Sequence, residues 1–309
     1  MKKFFARLFG KPDRPEHLKQ TKPFDQSQNA TTAPLSEAQI ISIVNQNGLH
    51  YEPHQLVVGC GQSVGRQRDL NEDSLLAFTS TISGNFGSTP IGLFIVADGM
   101  GGHQYGEVAS NAAMRVMGGY IMRKFHSMLF GHPAQSPDES IQEIMLGGIN
   151  EAQRVVQREA PGSGTTLTAA LVLGQQITIA HVGDSRAYMF YQDGRSEVIT
   201  RDHSLVKRLE ELGQLTSEEA SVHPQRNVLY RALGQGDLLE PDIITIPFQP
   251  GSYLLLCSDG LWGVVPEETL LRSIRETPNI QRACHAMVEA ANLAGGPDNI
   301  SAILVQFLS

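Results

Sequence analysis

The sequence predicts an α+β fold, because strand runs and helix runs come in separate blocks along the chain. Three observations carry that expectation. Apolar runs of strand length, QLVVGC, DSLLAF and IGLFIVAD, begin at Gln55, Asp73 and Ile91. A denser group, TLTAALVL, QITIAHV, RAYMFY and SEVIT, fills Thr166 to Thr200. Long stretches of helical periodicity separate these groups or follow them.

Taken in order, the first three strands lead into a helical stretch from about Tyr105 to Phe125 and another from about Asp138 to Glu159. Within the dense strand group, Gly174-Gln175 and Asp193-Gly194 are short turns. Connections that short permit antiparallel pairing and exclude crossover helices. A polar, mostly helical section is expected from Asp202 to Leu233. The strands DIITIPF, SYLLLCSD and ISAILVQF then return, with helices near Glu267–Arg275 and Asn279–Leu293 between them.

The N-terminal part reads differently. Residues 1–54 form a tail, and residues 55–309 form the folded unit. From Lys11 to Gly48 the chain is rich in Pro, Gln, Thr, Ser and Lys, as in a linker. Within it SEAQIISIVNQ could form one helix capped by Ser36. In residues 1–10, Phe4, Phe5, Leu8 and Phe9 would share one helical face opposite Lys3 and Arg7. That face could give weak contact with a membrane surface or dock a partner.

Composition narrows the function. Of 309 residues, 41% are hydrophobic, enough for a sizeable core, and the net charge is -8. The first fifty residues carry seven Lys/Arg against four Asp/Glu, so the remainder sits at -11. An acidic body argues against nucleic acid, whose phosphates need a basic face. Cys60, Cys257 and Cys284 are far apart, as buried thiols of a reducing compartment would be. No apolar run reaches the length of a membrane span and no signal peptide is visible, so a cytoplasmic, monomeric protein is expected.

The chemistry is suggested by aspartates at strand edges. Asp73 opens SLLAF. Asp98 ends GLFIVAD before Gly99, Asp259 ends YLLLCSD before Gly260, and Asp298 precedes ISAILVQF. A fifth, Asp184 in GDSR, lies in a short link between two strands of an expected meander. A strand end fixes a carboxylate rigidly, and a neighbouring glycine lets backbone approach an ion. Hard cations such as Mg²⁺ and Mn²⁺ take such oxygen ligands and keep several waters. One Asp-Gly pair alone is a turn, as at Asp193-Gly194; several apolar strands ending alike point to a metal centre. Other chemistries fit less well: Gly162–Gly164 is too short for a nucleophile elbow, and there is no Walker loop or G-x-G-x-x-G. His50 and His54 lack a third zinc ligand nearby.

These motifs resemble the metal-dependent PPM/PP2C protein phosphatases, in particular the bacterial branch. The resembling segments run from about Val57 to Phe307: SVGRQRDLNEDS, FIVADGMGGHQYGEVAS, GTTLTAALV, HVGDSRAYM, TRDHSLVKRLEELGQLT, HPQRNVLYRALG, LLLCSDGLW and GGPDNISAILV. They stand in family order with family spacing.

The resemblance implies a four-layer αββα sandwich, two antiparallel sheets face to face with helices outside each, and metals in a cleft at one edge. It implies two divalent cations, Mn²⁺ or Mg²⁺, and a weaker third. Asp98 would bridge the two, Gly99 would give its carbonyl to one, and Asp259 and Asp298 would hold the other. Asp73, preceded by Glu72, would act at the first metal, partly through water. Asp184 with Asp259 matches the third-metal position. Arg68 matches the phosphate-binding arginine, Asn299 would steady the Asp298 loop, and residues 202–233 match the flap beside the cleft. Animal relatives place their general acid, a histidine, directly after the Asp-Gly pair. Here Met100 holds that position, and His103 is the histidine of the bacterial pattern. The implied activity is hydrolysis of phosphoserine and phosphothreonine on proteins, opposing a cognate Ser/Thr kinase. The alternatives are a pseudophosphatase-like binding module and a phosphatase of small metabolites.

Overall fold

The chain builds two antiparallel sheets laid face to face. A computed structural model describes residues 53–84, 87–101, 105–130, 139–236, 239–277 and 279–308. The amphipathic reading of residues 1–10 and the helix capped by Ser36 lie outside these, as does His103.

The first sheet has five strands in the order β1-β11-β10-β7-β8: β1 (Gln55–Ser63), β7 (Arg186–Phe190), β8 (Ser196–Val198), β10 (Tyr253–Cys257) and β11 (Ile300–Leu308). The second runs β2-β3-β5-β6-β9: β2 (Asp73–Gly84), β3 (Gly87–Met100), β5 (Leu167–Leu173), β6 (Gln176–Val182) and β9 (Asp242–Pro247). The two-residue β4 (Gly164–Thr165) pairs with the end of β3. Every pairing is antiparallel.

Because the strands are buried on both faces, most read as unbroken apolar runs rather than alternating ones. Phe94, Ile179, Leu256 and Phe307 interleave between the sheets. On the outer face of the second sheet, Ile95 and Leu171 meet α1 (Gly106–Phe130) and α2 (Ile141–Glu159). On the outer face of the first, Leu255 and Leu304 meet α6 (Glu267–Glu276) and α7 (Ile280–Leu293). The result is the four-layer α+β sandwich that the resemblance implies. Two of these helices start where the sequence supplies caps: Ser140 and Glu143 form a capping box on α2, and Asn279 caps α7. Cys257 and Cys284 are buried free thiols and Cys60 is half-buried. No helix among the described residues is long and apolar enough to cross a membrane.

Two local expectations change. The turns at Gly174 and Gly194 do close hairpins, β5–β6 and β7–β8. The GDSR link does not: β6 and β7 belong to different sheets, and residues 183–185 carry the chain from one sheet to the other. A short connection permits pairing but cannot require it. The section 202–233 is also less helical than expected. It holds only α3 (Leu205–Glu211) and α4 (Ser217–Ser221), each capped by the hydroxyl before it, Ser204 and Thr216. Its remaining backbone turns through Gly213 and the tight segment 223–228.

Candidate active site

At one edge of the sandwich, loops from both sheets bring the strand-end carboxylates together. A pocket of about 200 Å³ is lined by Arg68, Glu72, Asp98, Gly99, Asp184, Asp259 and Asp298. Asp73 lies just behind it, the cross-strand partner of Asp98.

Each carboxylate is placed by its own scaffold. Asp98 sits two residues before the end of β3. Its N–H donates to Thr166 Oγ1 at 2.9 Å, and its carbonyl accepts from Thr165 Oγ1 and the Thr166 N–H, both at 2.9 Å. The next residue must be glycine, because a Cβ on Gly99 would drive into the carbonyl oxygens of Gly106 and Glu72. Asp259 does not end a strand, as the sequence suggested. β10 stops at Cys257, and Asp259 opens the one-turn α5 (Asp259–Trp262). A Cβ on Gly260 would meet the Asn299 carbonyl oxygen, so α5 can press against the Asp298 loop only with glycine there.

Asp298 precedes β11. One oxygen accepts from the Asn299 N–H at 2.8 Å, and the other from Arg68 Nη2 at 2.7 Å. The Asn299 amide ties the 64–72 loop down. It donates to the Val64 and Leu70 carbonyls at 2.8 Å each and accepts from the Glu72 N–H at 2.8 Å. Asp184 is buried in the inter-sheet link, its carbonyl held by Trp262 Nε1 at 2.9 Å. Neighbouring Ser185 bonds Thr166 at 2.7 Å, so the Asp98 and Asp184 scaffolds share one threonine.

The electrostatics are those of crowded acid. Burial and then the mutual repulsion of the carboxylates push their pKa values up. Asp73 rises to about 7 through burial, against the pull of the Ser258 hydroxyl, with Asp259 and Asp298 adding to the rise. Asp259 rises to about 6 by burial and the charge of Asp298, eased by a hydrogen bond with Asp98. Asp98 is driven well above the carboxylate range by burial and by Asp73, Asp259, Asp184 and Asp298. Asp184 is driven up likewise by burial, Asp259 and Asp202.

These residues fit hard divalent cations. Asp73 Oδ2 accepts from Ser258 Oγ at 2.7 Å, while its Oδ1 is buried without a hydrogen-bond partner among the described residues. Such an orphaned oxygen carries a desolvation cost that a cation or its water would offset. Among the described residues no three His, Cys, Asp or Glu side chains are grouped so that they could hold a metal ion together. Asp298 is turned onto Arg68 and Asp73 onto Ser258, and Gly99 offers only a backbone carbonyl. Magnesium-like ions need no closed protein cage, since one or two carboxylates each suffice with waters.

Of the residues expected from sequence, Arg68, Glu72, Asp73, Asp98, Gly99, Asp184, Asp259, Asp298 and Asn299 therefore meet at one edge. Sequence reasoning missed Ser258, although it directly precedes Asp259. It also missed Thr166, present in the GTT motif, and the group Arg186, Asp202 and Trp262.

The chain is similar to known proteins of one family. The family described as protein phosphatase 2C matches residues 59–300. A serine/threonine phosphatase, Stp, of Listeria innocua is 37% identical over 243 residues, covering 78% of this chain and 92% of the relative. Protein phosphatase PhpP of Streptococcus pneumoniae is 34% identical over 248 residues, covering 78% and 94%. The crystal structure of the catalytic domain of the serine/threonine protein phosphatase PstP with two manganese ions superposes with a TM-score of 0.67. It is 29% identical and covers 82% of this chain and 99% of that one. The carboxylate edge, the double sheet and these relatives lead to one assignment: the chain belongs to the bacterial branch of the protein phosphatase 2C family and is a protein-serine/threonine phosphatase.

Proposed function

We propose that the chain removes phosphate from phosphoserine and phosphothreonine of proteins, opposing a Ser/Thr kinase, with two divalent cations, Mn²⁺ or Mg²⁺, at its carboxylate edge. The folded unit, residues 55–309, carries the activity, and the tail, residues 1–54, is separate from it. The observation that carries the reading is the orphaned Asp73 oxygen beside Asp98, Asp184, Asp259 and Asp298, of which, among the described residues, only Asp298 is ion-paired with a basic side chain, Arg68. The manganese of the PstP relative supports the same metal class.

Asp98 would stand between the two cations, Gly99 would give its carbonyl to one, and Asp259 and Asp298 would hold the other. Asp73, with Glu72 beside it, would serve the first site through its free oxygen. Asp184 and Asp259 would share a weaker third. Bound there, the cations supply Lewis-acid charge and a nucleophilic water at neutral pH.

The chain's own groups do the rest. Arg68 is half exposed at the mouth and presents a planar fork suited to two phosphoryl oxygens. In binding them it would exchange Asp298 for substrate. Asn299 keeps the Arg68 and Asp298 loops in register through its three hydrogen bonds. Reaction is a single displacement by water: the P–O bond to serine or threonine breaks as the P–O bond to water forms. No phosphoenzyme is needed, and the leaving oxygen takes up a proton. His103 is the candidate donor of that proton.

The test is a substrate panel. Purified protein with Mn²⁺ is expected to cleave phosphoserine and phosphothreonine peptides, to spare phosphotyrosine peptides and small phosphorylated metabolites, and to stop in EDTA. Preference for metabolites, or no hydrolysis of any substrate, would overturn the reading.

A further inference from the structure

Arg186 lies outside the carboxylate centre, yet it touches each segment that frames one side of it. Its guanidinium grips Asp202 twice, Nε to Oδ1 at 3.0 Å and Nη2 to Oδ2 at 2.7 Å. Its flat face lies 3.5 Å from the centre of the Trp262 ring, and Nη1 donates to the Tyr188 hydroxyl at 3.2 Å. Trp262 in turn donates to the Asp184 carbonyl at 2.9 Å. A bidentate, stacked and shielded arginine of this kind is strongly directional, and lysine cannot replace it. The Asp202 side chain is only 6% exposed and that of Arg186 24%.

Three segments meet on this one side chain. Trp262 closes α5, whose first residue is Asp259. Arg186 follows the link that carries Asp184. Asp202 leads through His203 to Ser204, the cap of α3, where the flap leaves the body. The same residues line a cavity of about 550 Å³ beside the carboxylates, together with flap residues Lys207 and Arg226. Arg186 has no fork left for phosphate, since Asp202 occupies it.

We propose that Arg186, stacked on Trp262 and paired with Asp202, is a positioning residue. It locks the flap root to the Asp184–Asp259 side of the centre and so sets the width of the cavity in which a phosphoprotein segment seats. The proposal rests on the phosphatase reading for its substrate. A small aryl phosphate needs only the inner pocket and Arg68. A phosphopeptide must also lie against the flap wall, so only the peptide should sense a loosened root.

The test uses the full chain, with Arg186→Lys, Asp202→Asn and Trp262→Phe compared by thermal melting and by kinetics in Mn²⁺, and the two variants that keep the tryptophan compared also by fluorescence. Arg186→Lys and Asp202→Asn are each expected to raise KM for a phosphothreonine peptide about tenfold, the equivalent of about 1.4 kcal/mol. For p-nitrophenyl phosphate, KM and kcat should stay within about twofold, the split that separates substrate seating from chemistry. Trp262→Phe keeps a stacking face and should fall between. Trp262 is the chain's one tryptophan, so its iodide quenching in metal-free protein reads the same contact without catalysis. Quenching should rise in Arg186→Lys and Asp202→Asn. Equal losses on both substrates, or unchanged quenching in folded variants, would overturn the proposal. If wild-type protein fails to cleave the peptide while quenching rises as expected, the phosphatase reading fails and the positioning role stands.

Discussion

Asp73 and Asp98 face each other across two paired strands, and that pairing sets the pH behaviour of the site. Both are held above their ordinary value, Asp73 at about 7, and nearby Asp259 at about 6. A carboxyl that binds its proton more tightly when folded contributes stability below its unfolded pKa, near 4, and loses it as pH rises through the folded value. The metal-free protein should therefore lose melting temperature as pH climbs from about 4 to about 7, and Mn²⁺ should reverse that loss. Metal binding must also expel these protons. Calorimetry in buffers of different ionisation enthalpy should show proton release at pH about 6 that declines as pH rises through about 7. A pH-independent uptake of Mn²⁺ would show that these groups are not its ligands. The carboxylates were legible in the sequence because strand ends and adjacent glycines leave a local mark. The Arg186–Asp202 and Trp262–Asp184 contacts were not. They join residues 16 and 78 positions apart, and no periodicity records a contact made only in space.

At the scale of elements, most strands were legible because burial on both faces makes them apolar runs. Which sheet a strand joins was not. The β6–β7 link is as short as a hairpin, yet its strands diverge into two sheets and Asp184 rides the crossing. The flap was misjudged for a related reason: its polar residues read as helix, but only α3 and α4 form and the rest follows local turns. Tight approach between elements gives the sharpest test here. α1 begins against the end of β3, and the Gly99 position has no room for a side chain. Gly99→Ala should destabilise the metal-free fold by about 2 kcal/mol or more, since the clash is with backbone that cannot rotate away. Urea unfolding at matched slope measures this. A change under about 0.5 kcal/mol, the range of neutral surface substitutions, would mean that α1 and β3 are not packed as described.

For the whole molecule, three apolar layers, one between the sheets and one beneath each helical pair, build the core of the described residues, whose first strand begins at Gln55. Residues 1–54 lie before the first described strand and before the segment that matches the family. Their removal should leave kcat and KM on an aryl phosphate within about twofold of the full chain, the signature of a segment outside the chemistry. A truncated protein that fails to fold or turn over would place the tail against the body. The central claim is that catalysis depends on cations gathered by Asp98 and its neighbours. The most direct test is metal content measured alongside turnover, in wild type and in Asp98→Ala. Wild type is expected to bind two Mn²⁺ per chain, to lose activity as a chelator removes them and to regain it on readdition. Asp98→Ala should fold, bind less metal and lose at least about a hundredfold in kcat, or about 2.7 kcal/mol of barrier. Full turnover in stripped wild-type protein, or near-normal turnover and metal content in Asp98→Ala, would contradict the account.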